Sequence, residues 1–237
     1  MAFTRLGLRS ELIEALKALG YTAPTPIQEK SLPESMAGKD VIGSAMTGSG
    51  KTVAFVMPLL QKLLDDRAKD PHKGGLRVRA LVLVPTRELA TQVEKAVGEL
   101  ANFSPVKCAL IIGGASFHSQ TQDLKRGAEV VVATPGRLLD HIRSGTFHLS
   151  DVKVAVLDEA DRMLDMGFMP DVRRIMKLLP KDRQTLMFSA TIPSEVERVV
   201  NEFMRSPVRV EVDRPRSTAT SVKQWIYPVT EGQKAEL

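Results

Sequence analysis

Seven short apolar runs constrain the fold most tightly: Val41-Ile42-Gly43, Ala80 to Val84, Val106 to Ile112, Val130 to Ala133, Val152 to Leu157, Thr185 to Phe188 and Val208 to Val212. They are rich in valine and isoleucine and mostly do not alternate with polar residues. A strand with one wet face alternates, whereas a strand covered on both faces stays apolar, so the pattern predicts a mostly parallel sheet between helical layers. The separating segments are long enough for helices: Glu11 to Leu19, Ile27 to Met36, Val53 to Leu64, Arg87 to Ala101, Pro135 to Arg143, Pro170 to Leu179 and Ser194 to Met204. Ser10 reads as the cap of the first, with Leu12, Ile13, Leu16 and Leu19 on its inner face, and Ser194 with Glu197 reads as a capping box. Repeated strand and helix give an α/β, doubly wound sheet, which binds ligands at the carboxyl ends of its strands.

A chain of 237 residues suits one large α/β domain or two small ones. With 43% hydrophobic but only 5% aromatic residues, aliphatic side chains must fill the core. The single cysteine, Cys108, lies inside an apolar run and reads as a small buried hydrophobe, suited to a reducing compartment. Met1 to Leu8 has no apolar segment behind basic residues, and no run approaches the length of a membrane span, so a soluble, cytoplasmic protein is expected. The net charge of +5 and pI near 9.4 mildly favour a polyanionic partner. Arg67 to Arg79 also holds Asp70, Pro71 and Gly74-Gly75, so it reads as a solvated loop. His72, His118, His141 and His148 show no ligand spacing, which argues against zinc. Past residue 213 the composition changes. Pro215, Ser217, Thr218, Thr220 and Ser221 read as a linker, Trp225, Ile226, Tyr227 and Val229 as the start of a strand, and Lys234 to Leu237 as a helix of one turn. The expected division is therefore a main domain over 1–213 and a linker with the start of a second over 214–237.

Two stretches carry chemistry. Ala45-Met46-Thr47-Gly48-Ser49-Gly50-Lys51-Thr52 follows an apolar run and precedes a helix. In that order the backbone N–H groups of Thr47, Gly48, Ser49 and Gly50 can converge on phosphates, with Lys51 reaching the outer ones and the Thr52 hydroxyl a magnesium ion. Ala45 stands where the phosphate-loop pattern has its first glycine, and a structural loop is the competing reading. The second stretch is Asp158-Glu159-Ala160-Asp161, at the end of an apolar strand. Three acids in four residues repel one another and are costly when partly buried. Beside a metal that cost vanishes: Asp158 can hold magnesium and Glu159 can orient or deprotonate water. The competing reading is an acidic helix start.

With these stretches the chain resembles the DEAD-box ATP-dependent RNA helicases over about residues 3 to 230. The resemblance runs in order through Phe3; Gly20-Tyr21 with Pro24-Thr25-Pro26-Ile27-Gln28; the Ala45 to Thr52 loop, which in that family begins with alanine; Pro85-Thr86-Arg87-Glu88-Leu89-Ala90; Gly113-Gly114; Thr134-Pro135-Gly136-Arg137; Asp158 to Asp161; and Ser189-Ala190-Thr191. Met46 departs from the glutamine common in relatives. The resemblance implies the N-terminal RecA-like P-loop domain of an RNA-stimulated ATPase that uses ATP and Mg2+ to unwind RNA locally or remodel RNA–protein complexes. It assigns Lys51, Asp158 and Glu159 to catalysis, and Thr52 and Asp158 to the metal. Gln28 falls to adenine, where a carboxamide can pair with N6 and N7, and Tyr21 to stacking on the base. Asp161, Ser189 and Thr191 fall to coupling between the two ligands. Pro85, Thr86, Arg87, Gly113, Gly114, Thr134, Pro135, Gly136 and Arg137 would contact an RNA backbone without reading sequence. The family's second RecA-like domain, with its arginine finger, has no counterpart in the 46 residues after Thr191. These 237 residues alone are thus expected to bind nucleotide and hydrolyse it very slowly. Two other functions fit the same residues: a DNA-dependent helicase or translocase, and a non-catalytic RNA clamp.

Overall fold

The structure, a computed structural model, describes residues 2–46, 48–69, 77–146, 148–212 and Trp225. Its sheet has seven strands, β1 (Val41–Ser44), β2 (Ala80–Leu83), β3 (Cys108–Ile111), β4 (Val130–Ala133), β5 (Val154–Asp158), β6 (Gln184–Ser189) and β7 (Val208–Glu211). They lie in the order β3-β4-β2-β5-β6-β1-β7, and every pairing is parallel. The expected α/β sheet is present, with each apolar run on a strand.

Nine helices occur among the described residues: α1 (Ser10–Ala18), α2 (Pro26–Met36), α3 (Lys51–Lys69), α4 (Arg87–Leu100), α5 (Phe117–Lys125), α6 (Pro135–Arg143), α7 (Ala160–Asp165), α8 (Met169–Leu178) and α9 (Ser194–Phe203). The lack of alternation in the strands now has its cause. Val82, Val132, Val156 and Leu186 pack into a core beneath α1 to α4, while their neighbours Leu81, Val131, Ala155 and Met187 pack into a second core beneath α5 to α9. Phe3, in a short 3-10 helix over Ala2–Leu6, is fully buried in the first core, so it covers apolar surface. Cys108 is half-buried on edge strand β3, less enclosed than its apolar run suggests.

Three local expectations are corrected. Ser10 does not cap α1: Arg9 holds the cap position, and the Ser10 hydroxyl donates to Glu11 Oε2 at 2.9 Å. Leu19 is 39% exposed, because α1 ends before it. Ser194 and Glu197 form no capping box either. Pro193 holds that position, and its C=O accepts the Glu197 N–H at 2.9 Å. Pro193 supplies an extended backbone with no N–H to leave unpaired, so the helix starts one residue early and the Ser194 hydroxyl turns to Glu195 Oε2.

No helix of the described residues is long and apolar enough to cross a membrane. Thr47, most of the expected solvated loop (residues 70–76) and the expected linker and second-domain start (214–237) lie outside the described residues. The exception is Trp225, which is 74% exposed and in neither helix nor strand.

Candidate nucleotide and nucleic-acid sites

Because all strands run the same way, every chemistry-bearing segment that follows a strand lands on one edge of the sheet. The strand order then sorts them. Ala45–Thr52 follows β1, Asp158–Asp161 ends β5 and Ser189–Thr191 ends β6, and these three strands are consecutive neighbours. The segments at Arg87, Gly113-Gly114 and Arg137 follow β2, β3 and β4, the other consecutive group. Segments interleaved in the sequence thus become two adjoining clusters.

In the first cluster, Lys51 opens α3 and is only 7% exposed. The loop before it is shaped for backbone approach. Gly50 has φ +92, and a Cβ there would lie 2.5 Å from Gln28 Nε2 and 2.8 Å from Thr25 Oγ1, so only glycine fits. Met46 is exposed at 56%. Gln28 is fully buried; its Nε2 donates to the Gly50 C=O at 2.9 Å and its Oε1 accepts the Thr25 N–H at 3.0 Å. This carboxamide both caps α2 and clamps the loop, using one N–H and one lone pair, so one of each remains. Tyr21 is half-buried and packs against the first core.

Asp158 is 3% exposed, and one oxygen accepts the Glu159 N–H at 3.0 Å. Burial, above all, pushes its carboxyl up to about 6, partly opposed by the Lys51 charge and reinforced by Glu159. Glu159 adopts a left-handed backbone, φ 52 and ψ 51, an uncommon conformation for a side chain without special local hydrogen bonding. Its Oε2 accepts from Arg162 Nη1 at 3.2 Å. Asp161 links two strands: its N–H donates to Ser189 Oγ at 3.0 Å, and its Oδ2 accepts both the N–H and the hydroxyl of Thr191 at 2.9 Å. These hydroxyl and backbone donors hold the Asp161 carboxyl below the usual range although burial pushes the other way. Ser189 also gives its C=O to the Ala45 N–H at 3.1 Å. Acid segment, hydroxyl pair and glycine loop therefore form one hydrogen-bonded unit.

In the second cluster, Pro85 and Thr134 are buried at strand ends, and Thr86 caps α4 by accepting the Leu89 N–H at 3.2 Å. Pro135 is the first residue of α6, followed by Gly136 and Arg137. Arg87 Nη1 donates to the Gly113 C=O at 3.2 Å. Gly114 has φ +80, and a Cβ there would lie 2.1 Å from that same Nη1. Arg137 reaches the same loop, donating from Nη2 to the Ala115 C=O and from Nε to Gln120 Oε1. Two arginines and two helix N-termini thus surround one glycine pair, an arrangement that favours anions.

This order of loop, acids and hydroxyl pair is matched by known proteins. The model of the DEAD/DEAH box helicase family matches residues 25–199. This chain belongs to the DEAD/DEAH box helicase family. Among its relatives, the ATP-dependent RNA helicase drs1 of Neurospora crassa is 41% identical over 99% of this chain and 28% of its own length. The DEAD-box ATP-dependent RNA helicase RhpA of Helicobacter pylori is 38% identical over 99% of this chain and 46% of its own. A DEAD box protein from the hyperthermophile Methanococcus jannaschii superposes with a TM-score of 0.81 at 36% identity, covering 90% of this chain and 56% of that one. This DEAD-box chain thus spans less than half the length of these two relatives.

Apart from Thr47, which lies outside the described residues, and Tyr21, which packs against the first core, the expected residues fall into these two clusters. The structure also adds residues that the sequence reading missed. The Arg162 guanidinium holds Glu159, and Gln120, Phe117 and His141 stand behind Arg137. The capping pattern Thr25-x-x-Gln28 could have disclosed the second role of Gln28.

Proposed function

We propose that this domain binds ATP at the β5-β6-β1 part of the edge and an RNA backbone at the β3-β4-β2 part. With a second RecA-like domain, it would then couple ATP hydrolysis to local RNA unwinding or to remodelling of RNA–protein complexes. The observation that carries this reading is Ser189, whose hydroxyl takes the Asp161 N–H while its C=O takes the Ala45 N–H. The acid segment and the phosphate loop are thereby joined through one residue.

The residues divide the work as follows. Gly48, Ser49, Gly50 and Thr47 would offer backbone N–H groups to phosphates, and Lys51 would neutralise their charge. Gln28 would use its remaining N–H and lone pair on adenine, and Tyr21 would cover the base. A magnesium ion fits the donor set, because the Thr52 hydroxyl and the Asp158 carboxylate are hard oxygens. The buried Asp158, held up at about 6, gains from a cation; Mg2+ needs only one or two protein oxygens beside phosphates. When bound, that ion neutralises phosphate charge. Glu159 would orient the attacking water and accept its proton, after leaving Arg162. Arg87 and Arg137, with N–H groups at the starts of α4 and α6, would hold RNA phosphates, and 2′-hydroxyls or A-form shape would favour RNA over DNA. The lone, half-buried Cys108 suits a reducing cytoplasm.

ATP turnover by the 237-residue chain, measured with and without single-stranded RNA, tests this division. Nucleotide binding with turnover slower by a factor on the order of 10³ or more than with an arginine finger present is expected. Strand separation by this chain alone, or equal stimulation of the two-domain protein by DNA, would contradict it.

A further inference from the structure

Arg137 is the first charged side chain of α6, and a free arginine loses about 2 kcal/mol of rotamer entropy when fixed. Here it is already fixed, by residues drawn from two helices and a turn. Gln120, on α5 and 4% exposed, donates from Nε2 to the Ile112 C=O at 2.8 Å. That bond sets the orientation of its carboxamide, so Oε1 faces the Arg137 Nε at 3.3 Å and the His141 Nε2 at 3.0 Å. A carboxamide oxygen only accepts, hence His141 carries its proton on Nε2. On the other side of the ring, Nδ1 lies 3.0 Å from Thr146 Oγ1. The Thr146 hydroxyl also donates to the His141 C=O at 2.9 Å, a carbonyl that the Ser144 hydroxyl reaches at 2.9 Å as well, so the single Thr146 proton is shared between that C=O and Nδ1. Burial first, then the Arg137 charge, lower the basicity of this fully buried ring, while Asp140 opposes them. Gln120 Oε1 thus fixes the proton on Nε2, and a neutral ring meets that partner. Phe117 completes the arrangement: it stacks on His141 with centroids 3.8 Å apart and planes 4° apart, and the Arg137 guanidinium lies 5.4 Å from its ring centre.

We propose that Gln120 is a positioning residue for RNA binding, presenting the Arg137 guanidinium to a phosphate, with His141 and Phe117 holding Gln120 and Arg137 in place. This rests on the reading of Arg137 as a phosphate contact. None of the three supporting residues needs to touch RNA. Their effect is to deliver the arginine without an ordering cost, and to keep the Gly113 to Ala115 loop beside it.

The test measures the affinity of the 237-residue chain for a fluorescein-labelled ten-nucleotide oligouridylate at several salt concentrations, with ADP affinity as the second readout. Arg137→Ala is expected to weaken RNA binding about tenfold and to flatten the plot of log affinity against log salt by about 0.7, one phosphate contact. Gln120→Met is expected to weaken it about three- to fivefold with a similar flattening, to leave ADP affinity unchanged, and to add nothing in the Arg137→Ala background. A merely structural role would not produce that non-additivity. If Gln120→Met yields no folded protein, Phe117→Leu replaces it with the same expected and contrary results. Wild-type affinity in Gln120→Met, with loss in Arg137→Ala, would overturn the inference and leave the Arg137 reading intact. Further loss in the double variant would also overturn it. Equal binding by wild type and Arg137→Ala, or no saturable binding by either, would overturn both.

Discussion

Asp158→Asn is expected to raise the melting temperature of the nucleotide-free chain by about 5–10 °C at pH 7.5, while abolishing Mg2+-dependent nucleotide binding. The gain follows from the cost of a buried charge. Folding moves the Asp158 carboxyl from its ordinary 3.8 to about 6, mainly through burial. The folded state then holds its proton more tightly than the unfolded state, so this group's stabilising contribution is complete below pH 3.8 and disappears as pH rises through 6. Above pH 7 the ionised carboxylate costs about 3 kcal/mol relative to a group with no shift. Asparagine fills the same space without the charge. The stability difference between variant and wild type should therefore be near zero at pH 4, grow between pH 4 and 6, and level off above 7. Scanning calorimetry across that range checks it. A variant less stable than wild type at pH 7.5, or a gain independent of pH, would show that the carboxylate is not strained by its burial. The loss of function follows from the same residue, since asparagine supplies no charge to a divalent cation.

Glu129→Ala is expected to have the opposite effect, lowering the melting temperature on the order of 10 °C while leaving nucleotide affinity unchanged at low temperature. Glu129 is 1% exposed and lies just before β4. Its carboxylate takes Arg79 Nη1 at 3.3 Å and Arg67 Nη2, and Arg79 also pairs with Asp66 at 2.6 Å. Asp66 and Arg67 belong to the last turns of α3. The network thus pins the far end of the helix that begins at Lys51. Removing one member leaves Arg79 buried, 5% exposed, with half of its charge compensation, a loss typically of about 3–5 kcal/mol. The exposed pair Lys95–Glu99 sets the contrast, because such surface pairs contribute about 1 kcal/mol or less. Since α3 separates Glu129 from the phosphate loop by most of its length, the site should remain intact at 15 °C. A shift under about 2 °C would show that solvent already screens the network.

Strands β1 to β6 were legible because each one feeds two cores, whereas edge strand β7 sets Val208 and Val210 on the first core and exposes Arg209 and Glu211. Val82 and Leu81 point to opposite helical layers, so both had to be apolar. The position of each strand in the sheet was not legible. Nothing in Val130 to Ala133 reveals that it pairs with both β2 and β3, because parallel partners are chosen by crossovers rather than by local pattern. Helix α5 escaped notice because only Gln120 and Leu124 are buried on it, too few for a visible apolar stripe. Most candidate site residues stood out because they follow strand ends, where loop, acid or hydroxyl has little structural reason to be; Gln28 on α2 and Tyr21 before it stood out only through the resemblance. The residues behind them were not. Gln120 meets Arg137 and His141 only after α5 and α6 have packed beside β3 and β4, and a hydrogen bond across 21 positions leaves no periodic trace. Ser194 shows the converse, since a plausible capping signal lost to the proline before it.

The cluster at β5, β6 and β1 is proposed to be a magnesium-nucleotide site built on Lys51, Asp158 and Gln28. Calorimetric titration of ADP into the wild-type chain, with and without Mg2+, and into Lys51→Ala measures it most directly. One saturable site that tightens with Mg2+ in the wild type and is lost in Lys51→Ala is the expected result. No saturable heat in the wild type, or equal affinity in Lys51→Ala, would contradict it.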